Sequence, residues 1–366
     1  MSHNKRKCIG VLTAGGDCPG LNAVIRGVTK ASMSRFQMEV VGVEDGFEGL
    51  IERRIIPLDW KKVSGILTQG GTILGTSNVA NPFRWPVSRE GKKVEFADVS
   101  DQVVRYVDEL GLDALVCIGG DGTMAIAHRL NQKGLHLVGV PKTIDNDIWG
   151  TDITFGFNSA VASATEAIDK IHTTAMSHHR VMVVEVMGRY AGWLALESGI
   201  AGGGDVILIP EIPYSIAKVC EVVIERSKKG RRFSIVVVAE GARPVGGDRV
   251  VQRVIKESTD PVRLGGIGHR VAQDIETRTG LESRVTVLGH LQRGGTPSPF
   301  DRILATRFGV KAAELCYDGV GGVMVALHGS EIVAVPLSDV SDKTRLVDPD
   351  HPLIEVAKKV GTCLGN

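Results

Sequence analysis

Two linked α/β lobes, each built around a mostly parallel sheet, are predicted by three features of the sequence. Short β-branched runs alternate with longer amphipathic stretches, the mark of βαβ units. Glycine clusters directly follow several of the apolar runs, at what would be the carboxyl ends of strands, where open α/β sheets bind ligands. The alternation then begins again near residue 157, and a length of 366 residues suits two units of about 100 to 200 residues.

Residues 8–12, 40–43, 114–118 and 135–140 read as strands. Val103, Val107 and Leu110 recur at i, i+4 and i+7 and place one helical face before the third of them. The second series has a helix over about 158–175 and strands at 181–186, 206–209 and 234–239. The interval 241–268 is glycine-rich and charged and reads as a surface insertion or lobe connection.

A composition of 43% hydrophobic and 23% charged residues is globular, and the net charge of +1 offers no global attraction to nucleic acid or an anionic membrane. An anionic ligand therefore needs a local site. The basic start MSHNKRKC is followed by an apolar stretch that ends at Leu12, too short for a signal peptide or anchor, and no apolar run reaches the roughly 18 residues of a spanning helix. The six cysteines lie far apart without metal-ligand spacing, which suits a reducing cytoplasm.

Chemistry is concentrated where the glycines fall. TAGGDCPGLN (residues 13–22) suits a phosphate-binding turn before a helix, and equally a tight structural turn. GGTILGTS (70–77) has Thr76 where a P-loop would need lysine. GGDGT brings Gly119, Gly120, Asp121, Gly122 and Thr123 together; a carboxylate in a glycine cradle makes sense if Mg²⁺ bridges it to phosphates, or if Asp121 caps the next helix. In the loop of GVPKTIDND (139–147), Asp145 and Asp147 can divide base and support roles while Lys142 and Thr143 hold phosphate oxygens. An Asx-rich turn would account for the aspartates alone. Arg180, Arg189, Arg284 and Arg293 lie beside strand ends or glycine turns and are suited to phosphate, though any one of them alone reads as a solvated charge.

GVLTAGGDCPGLNAVIRG, GGDGT, PKTIDND, SHHRVMVVEVMGRYAG, VVVAEGA and SRVTVLGHLQRGGTPSPFDR, in that order, resemble the 6-phosphofructokinase family from residue 7 to beyond 313. The resemblance implies two similar Rossmann-like three-layer α/β/α domains. Residues 1–156 with about 291–342 would bind ATP, 157–290 would bind fructose 6-phosphate, and 343–366 would form a C-terminal helix. It implies that Asp145 is the base facing the 1-hydroxyl, with Thr143, Asp147 and Arg189 beside it, and that Asp121 is the Mg²⁺-associated carboxylate. Gly15 and Gly122 would line the nucleotide phosphates, within a nucleotide site that includes Gly119, Gly120, Thr123 and Lys142. Met187, Gly188, Arg189, Glu240, His290 and Arg293 would bind the sugar phosphate, joined by Arg180 and Arg284 from a neighbouring subunit, so a cytoplasmic homo-oligomer (tetramer or dimer) is expected.

Two departures from the common pattern concern the donor and Asn78. Gly122 is the choice of ATP users, whereas Lys142 is that of pyrophosphate users. Gly122 leaves room for an α-phosphate and a flexible Lys142 tolerates either donor, so ATP is the expected donor and pyrophosphate the alternative. Asn78 replaces an arginine that bridges the two substrates' phosphates, and Arg84 is the nearby substitute. A non-catalytic sugar-phosphate sensor is the alternative from another class; it would require loss of the base, and Asp145 is present.

Overall fold

A computed structural model describes residues 6–87, 95–254 and 262–366. β1 (Cys8–Thr13) leads through the first glycine loop into α1 (Leu21–Arg35), followed by β2 (Glu39–Val43), α2 (Phe47–Glu52) and β3 (Ile55–Pro57). A small hairpin of β4 (Trp85–Pro86) and β5 (Phe96–Ala97) precedes α3 (Ser100–Leu110), β6 (Ala114–Gly119), α4 (Asp121–Gln132), β7 (Leu137–Thr143) and β8 (Phe155–Gly156). The second series comprises α5 (Phe157–His178), β9 (Val181–Val186), α6 (Trp193–Ala201), β10 (Val206–Leu208), α7 (Ile216–Lys228) and β11 (Ser234–Ala239). It continues through a hairpin of β12 (Val251–Val254) and β13 (Val262–Leu264) to α8 (Ile267–Thr279) and β14 (Ser283–Val287). The chain then returns through a 3-10 turn (Gly289–Arg293) and α9 (Pro299–Tyr317) to β15 (Val323–His328), β16 (Glu331–Pro336), α10 (Leu337–Val340) and α11 (Pro352–Lys359).

Two main sheets result. One runs β16-β15-β7-β6-β1-β2-β3, with β8 beside β7, and the other runs β10-β11-β9-β14. All pairings are parallel in the second, and in the first only the edge pairs β15–β16 and β2–β3 are antiparallel. Parallel strands covered on both faces need continuous apolar runs, and β6, β9 and β11 are buried along their full lengths. One buried cluster joins Ile9, Val116 and Phe308 of the first series to Val184, Val237 and Trp193 of the second, so the two sheets share a core. The opposite faces are closed separately, by α3 and α4 around Leu115 and Val107, and by α7 and α8 around Val236 and Val271.

Three expectations change in detail. β7 continues past residue 140 to Thr143 because Lys142 and Thr143 pair with Phe155 and Gly156; these two side chains therefore project from a strand rather than a free loop. The C-terminal region is helical over Pro352–Lys359 instead of throughout 343–366, since Pro352 fixes the start and Gly361, at φ 89°, follows the end. The interval 241–268 holds the β12–β13 hairpin and the start of α8; residues 255–261 of it lie outside the described residues.

Backbone contact between α1 and α9 closes the first lobe. A Cβ on Gly309 would sit 2.7 Å from the Val24 carbonyl oxygen and 2.9 Å from the Val28 nitrogen, neither of which can rotate away. Gly309→Ala should therefore lower the urea midpoint at an unchanged slope, the overpacking cost of about 1–3 kcal/mol exceeding the gain of about 0.8–1 kcal/mol in helix propensity. An unchanged or raised midpoint would show that the two helices separate without penalty.

Candidate active site

The first glycine loop is held from several directions. Gly15 adopts φ 79° and donates from its nitrogen to the Ser77 carbonyl at 3.1 Å, while Thr76 Oγ1 donates to the Gly15 carbonyl at 2.7 Å. Asn22, at the start of α1, donates to the carbonyls of Gln69 and Gly70 and accepts from the Ile73 amide, which locks the second glycine loop beside the first. A cleft of about 480 Å³ opens over both, lined by Gly15, Asp17, Asp45, Thr76 and Asn78 among others. Cys18 of the first loop is no nucleophile, because burial pushes its thiol up to about 12.

Lys142 corrects its sequence reading. It is only 4% exposed, and its Nζ donates to the Gly16 carbonyl. Burial lowers its pKa, and the contact fixes the ammonium instead of leaving it flexible. Arg293 reaches the same loop, Nη1 donating to the Asp17 carbonyl at 3.2 Å. Two cations from distant segments thus clamp one turn.

Asp121 and Gly122 stand exposed at the start of α4. The cap position of α4 is Gly120 and Asp121 is the first residue of the helix itself, so Asp121 is not the capping residue. A Cβ on Gly122 would meet nothing within 4 Å. Gly119, by contrast, is packed directly against Thr123, and Gly120 provides the helix cap position.

Asp145 and Asp147 follow β7 on either side of Asn146, which adopts φ 53°. The Asp145 amide donates to Thr143 Oγ1 at 3.1 Å, and Asp145 Oδ1 is buried without a hydrogen-bond partner. Burial raises the Asp145 pKa to about 6; Glu240 and Asp121 add to the rise while Arg293 and Lys142 oppose it. Burial also raises Asp147, to about 7, with Asp145 and Asp121 contributing. The two titrate as a pair. A carboxyl poised near neutrality is what general base chemistry requires.

The second sheet contributes its own carboxyl ends. Met187, Gly188 and Arg189 follow β9, with Gly188 at φ 130°. The Glu240 amide donates to the Val186 carbonyl at 2.9 Å, and the Gly241 amide to the Gly188 carbonyl at 3.0 Å. Fully buried Gln292 accepts from the Met187 amide at 2.9 Å, joining this loop to the turn that carries His290 and Arg293. Met187, Glu240, Arg293 and Asp145 therefore converge where the strand ends of the two sheets meet.

Other predicted residues are not brought in. Arg180 and Arg284 share Glu282 and stand at the amino ends of β9 and β14, whose register pairs Val181 with Ser283. At about 3.3 Å per residue, β9 puts them roughly 20 Å from Met187. Arg84 is exposed and stacks on Phe96 at 4.3 Å, while Asn78 lines the cleft it was expected to serve. Gln292 and Asn146 were overlooked as positioning groups, although both lie inside quoted motifs; a buried amide next to a chemically obvious arginine or aspartate was the available signal.

Among the described residues no group of three or more His, Cys, Asp or Glu side chains could hold a metal. A single carboxylate, Asp121, beside open space fits Mg²⁺ shared with substrate phosphates, not a protein-only cage.

The phosphofructokinase family profile matches residues 8–316. An ATP-dependent 6-phosphofructokinase of Spirochaeta thermophila is 53% identical over 366 residues, covering all of both chains. A pyrophosphate–fructose 6-phosphate 1-phosphotransferase of Streptomyces coelicolor is 51% identical over 342 residues, 93% of this chain and 96% of that one. The structure of phosphofructokinase from Saccharomyces cerevisiae superposes with a TM-score of 0.78 at 34% identity, covering 92% of this chain and 45% of the yeast chain. With the profile covering residues 8–316 and one relative similar along its full length, the chain belongs to the phosphofructokinase family.

Proposed function

We propose that the protein transfers a phosphoryl group from ATP to the 1-hydroxyl of fructose 6-phosphate, giving fructose 1,6-bisphosphate and ADP. The observation that carries this reading is Asp145. Its buried, unpartnered oxygen and raised pKa lie between a glycine cradle on one sheet and the Met187–Arg189 loop on the other. Residues 1–156 with about 291–342 form the nucleotide half and 157–290 the sugar-phosphate half, within a cytoplasmic homo-oligomer.

In this reading Asp145 accepts the proton of the 1-hydroxyl as its oxygen attacks the γ-phosphorus, and the bond to the ADP oxygen breaks. Asp147 and Thr143 hold the base loop; Gly15 and the open side of Gly122 admit the nucleotide phosphates, with Gly119, Gly120 and Thr123 shaping the cradle. Asp121 would hold a Mg²⁺ ion, which when bound would supply neutralisation of phosphate charge. Arg189, Arg293, His290, Glu240 and the Met187–Gly188 backbone orient the sugar phosphate.

Asp145→Asn should reduce kcat by about 10²- to 10⁴-fold with fructose 6-phosphate binding far less affected. For the wild type, kcat/KM should fall as pH drops through about 6 to 7, where the raised carboxylates take up protons. Wild-type turnover in the variant, or a flat profile down to pH of about 5, would remove Asp145 from the mechanism.

The pyrophosphate reading is favoured by one residue, Lys142. Its ammonium is engaged with the Gly16 carbonyl, which supports a role in shaping the first loop for whichever donor binds. Gly122 decides for ATP. An aspartate there would find free space in the protein, so any effect of Gly122→Asp falls on the ligand: repulsion of an α-phosphate at 4 Å amounts to at most about 4 kcal/mol at an effective dielectric near 20. ATP turnover should collapse in this variant while any pyrophosphate turnover survives. A wild type that strongly prefers pyrophosphate would overturn the assignment.

Distance supports sharing of Arg180 and Arg284 between subunits. An Arg180→Ala chain mixed with an Asp145→Asn chain should regain part of the activity that each lacks alone. Demonstrated subunit exchange without recovery would mean that each chain builds its site unaided.

A further inference from the structure

The segment 344–348 runs extended and spans both sheets. Thr344 bridges Ile148 in antiparallel fashion, and the Arg345 amide donates to the Asp147 carbonyl at 2.8 Å. Arg345 Nη1 donates to the Asn146 carbonyl at 3.2 Å. On its other side the guanidinium lies 4.2 Å from the Trp193 ring, whose Nε1 donates to the Arg345 carbonyl at 3.0 Å. Two residues on, the Val347 amide and the Gly192 amide both donate to Glu211 Oε1, at 2.8 and 2.9 Å. A few residues thus fasten the aspartate loop of the first sheet to the entrance of α6 in the second.

What this strap holds is an unusual turn. Asn146 is 2% exposed and adopts the left-handed conformation that side-chain-bearing residues seldom take. From within, Thr154 donates to Asn146 Oδ1 from its amide at 3.0 Å, and its hydroxyl donates to the Thr143 carbonyl at 2.9 Å. From outside, Arg345 holds the Asn146 carbonyl. Because Asn146 separates Asp145 from Asp147, its conformation sets the directions of both carboxylates.

We propose that Arg345 is a positioning residue: it locks the left-handed turn at Asn146, and with it Asp145 and Asp147, and couples that turn through Trp193 to the Met187–Arg189 loop that precedes α6. The proposal rests on the reading of Asp145 as the base. A planar guanidinium can stack and donate at once, which a lysine ammonium does less well. Asp152 and Glu197 are the carboxylates that stabilise its charge, and His351 packs on the other edge of Trp193 at 4.9 Å.

The test uses full-length enzyme carrying Arg345→Ala or Arg345→Lys, with Arg345→Gln as the substitute if the alanine variant fails to fold. Arg345→Ala should lose about 10- to 100-fold in kcat, with KM for ATP moving less than about threefold and Arg345→Lys recovering only part of the loss. Amide exchange at Asp145 and Thr154 should quicken by about tenfold or more, through local opening rather than global unfolding. Retention of kcat within about twofold, or exchange rates equal to those of the wild type, would overturn the proposal. If the wild type itself fails to turn over fructose 6-phosphate with either ATP or pyrophosphate, the phosphotransferase reading fails, and the exchange rates still decide whether Arg345 holds the turn.

Discussion

The buried ammonium of Lys142 on the Gly16 carbonyl is the contact on which the geometry of this site turns. A charge withdrawn from water is tolerated only when hydrogen bonds and opposite charges replace its hydration. Here the replacement comes from a backbone carbonyl together with Asp147 and Asp17. Placing the ammonium there fixes the distance between the end of β7 and the loop after β1, two strands away in the sheet. Arg293 grips the neighbouring Asp17 carbonyl, so the turn that carries His290 and Arg293 is referenced to the same loop. Two substrates that must meet in line are thus measured from one short stretch of backbone.

A second constraint acts on the paired aspartates. Burial raises both, with Glu240 and Asp121 adding to the rise at Asp145, and Asp145 and Asp121 adding to it at Asp147, a strain that would relax if the loop could let the carboxylates drift into water. Thr154 from inside and Arg345 from outside prevent this. The same bonds that hold the backbone of the loop thus hold the carboxylates in the setting that raises them.

The sequence reading was strongest where a single physical rule governs a position. Continuous apolar runs identified β6, β9 and β11 because strands buried on both faces have no other composition. Glycine clusters marked the strand ends because packed neighbours leave no room for a Cβ, as the Thr123 side chain does at Gly119. It was weaker where tertiary context decides. Lys142 looks like a mobile loop cation in sequence; only the pairing of β7 with β8 shows that it is on a strand and faces inward. Residues 343–366 contain helix-forming stretches, yet 344–348 are drawn out by bonds to Asp147 and Glu211 that no local pattern encodes. Arg84 lies close to Asn78 in sequence, but that proximity says nothing of its stacking on Phe96.

Sheet geometry also bears on why Arg180 and Arg284 are positioned as they are. A parallel strand delivers catalytic loops at its carboxyl end and whatever precedes it at the other, and β9 separates the two by roughly 20 Å. No side-chain rotation closes such a gap. Both arginines are nevertheless presented together, held side by side by Glu282 at the surface, an arrangement that costs like-charge repulsion and offers nothing to the shared core. Such a pair is better understood as a surface facing another molecule than as part of its own lobe.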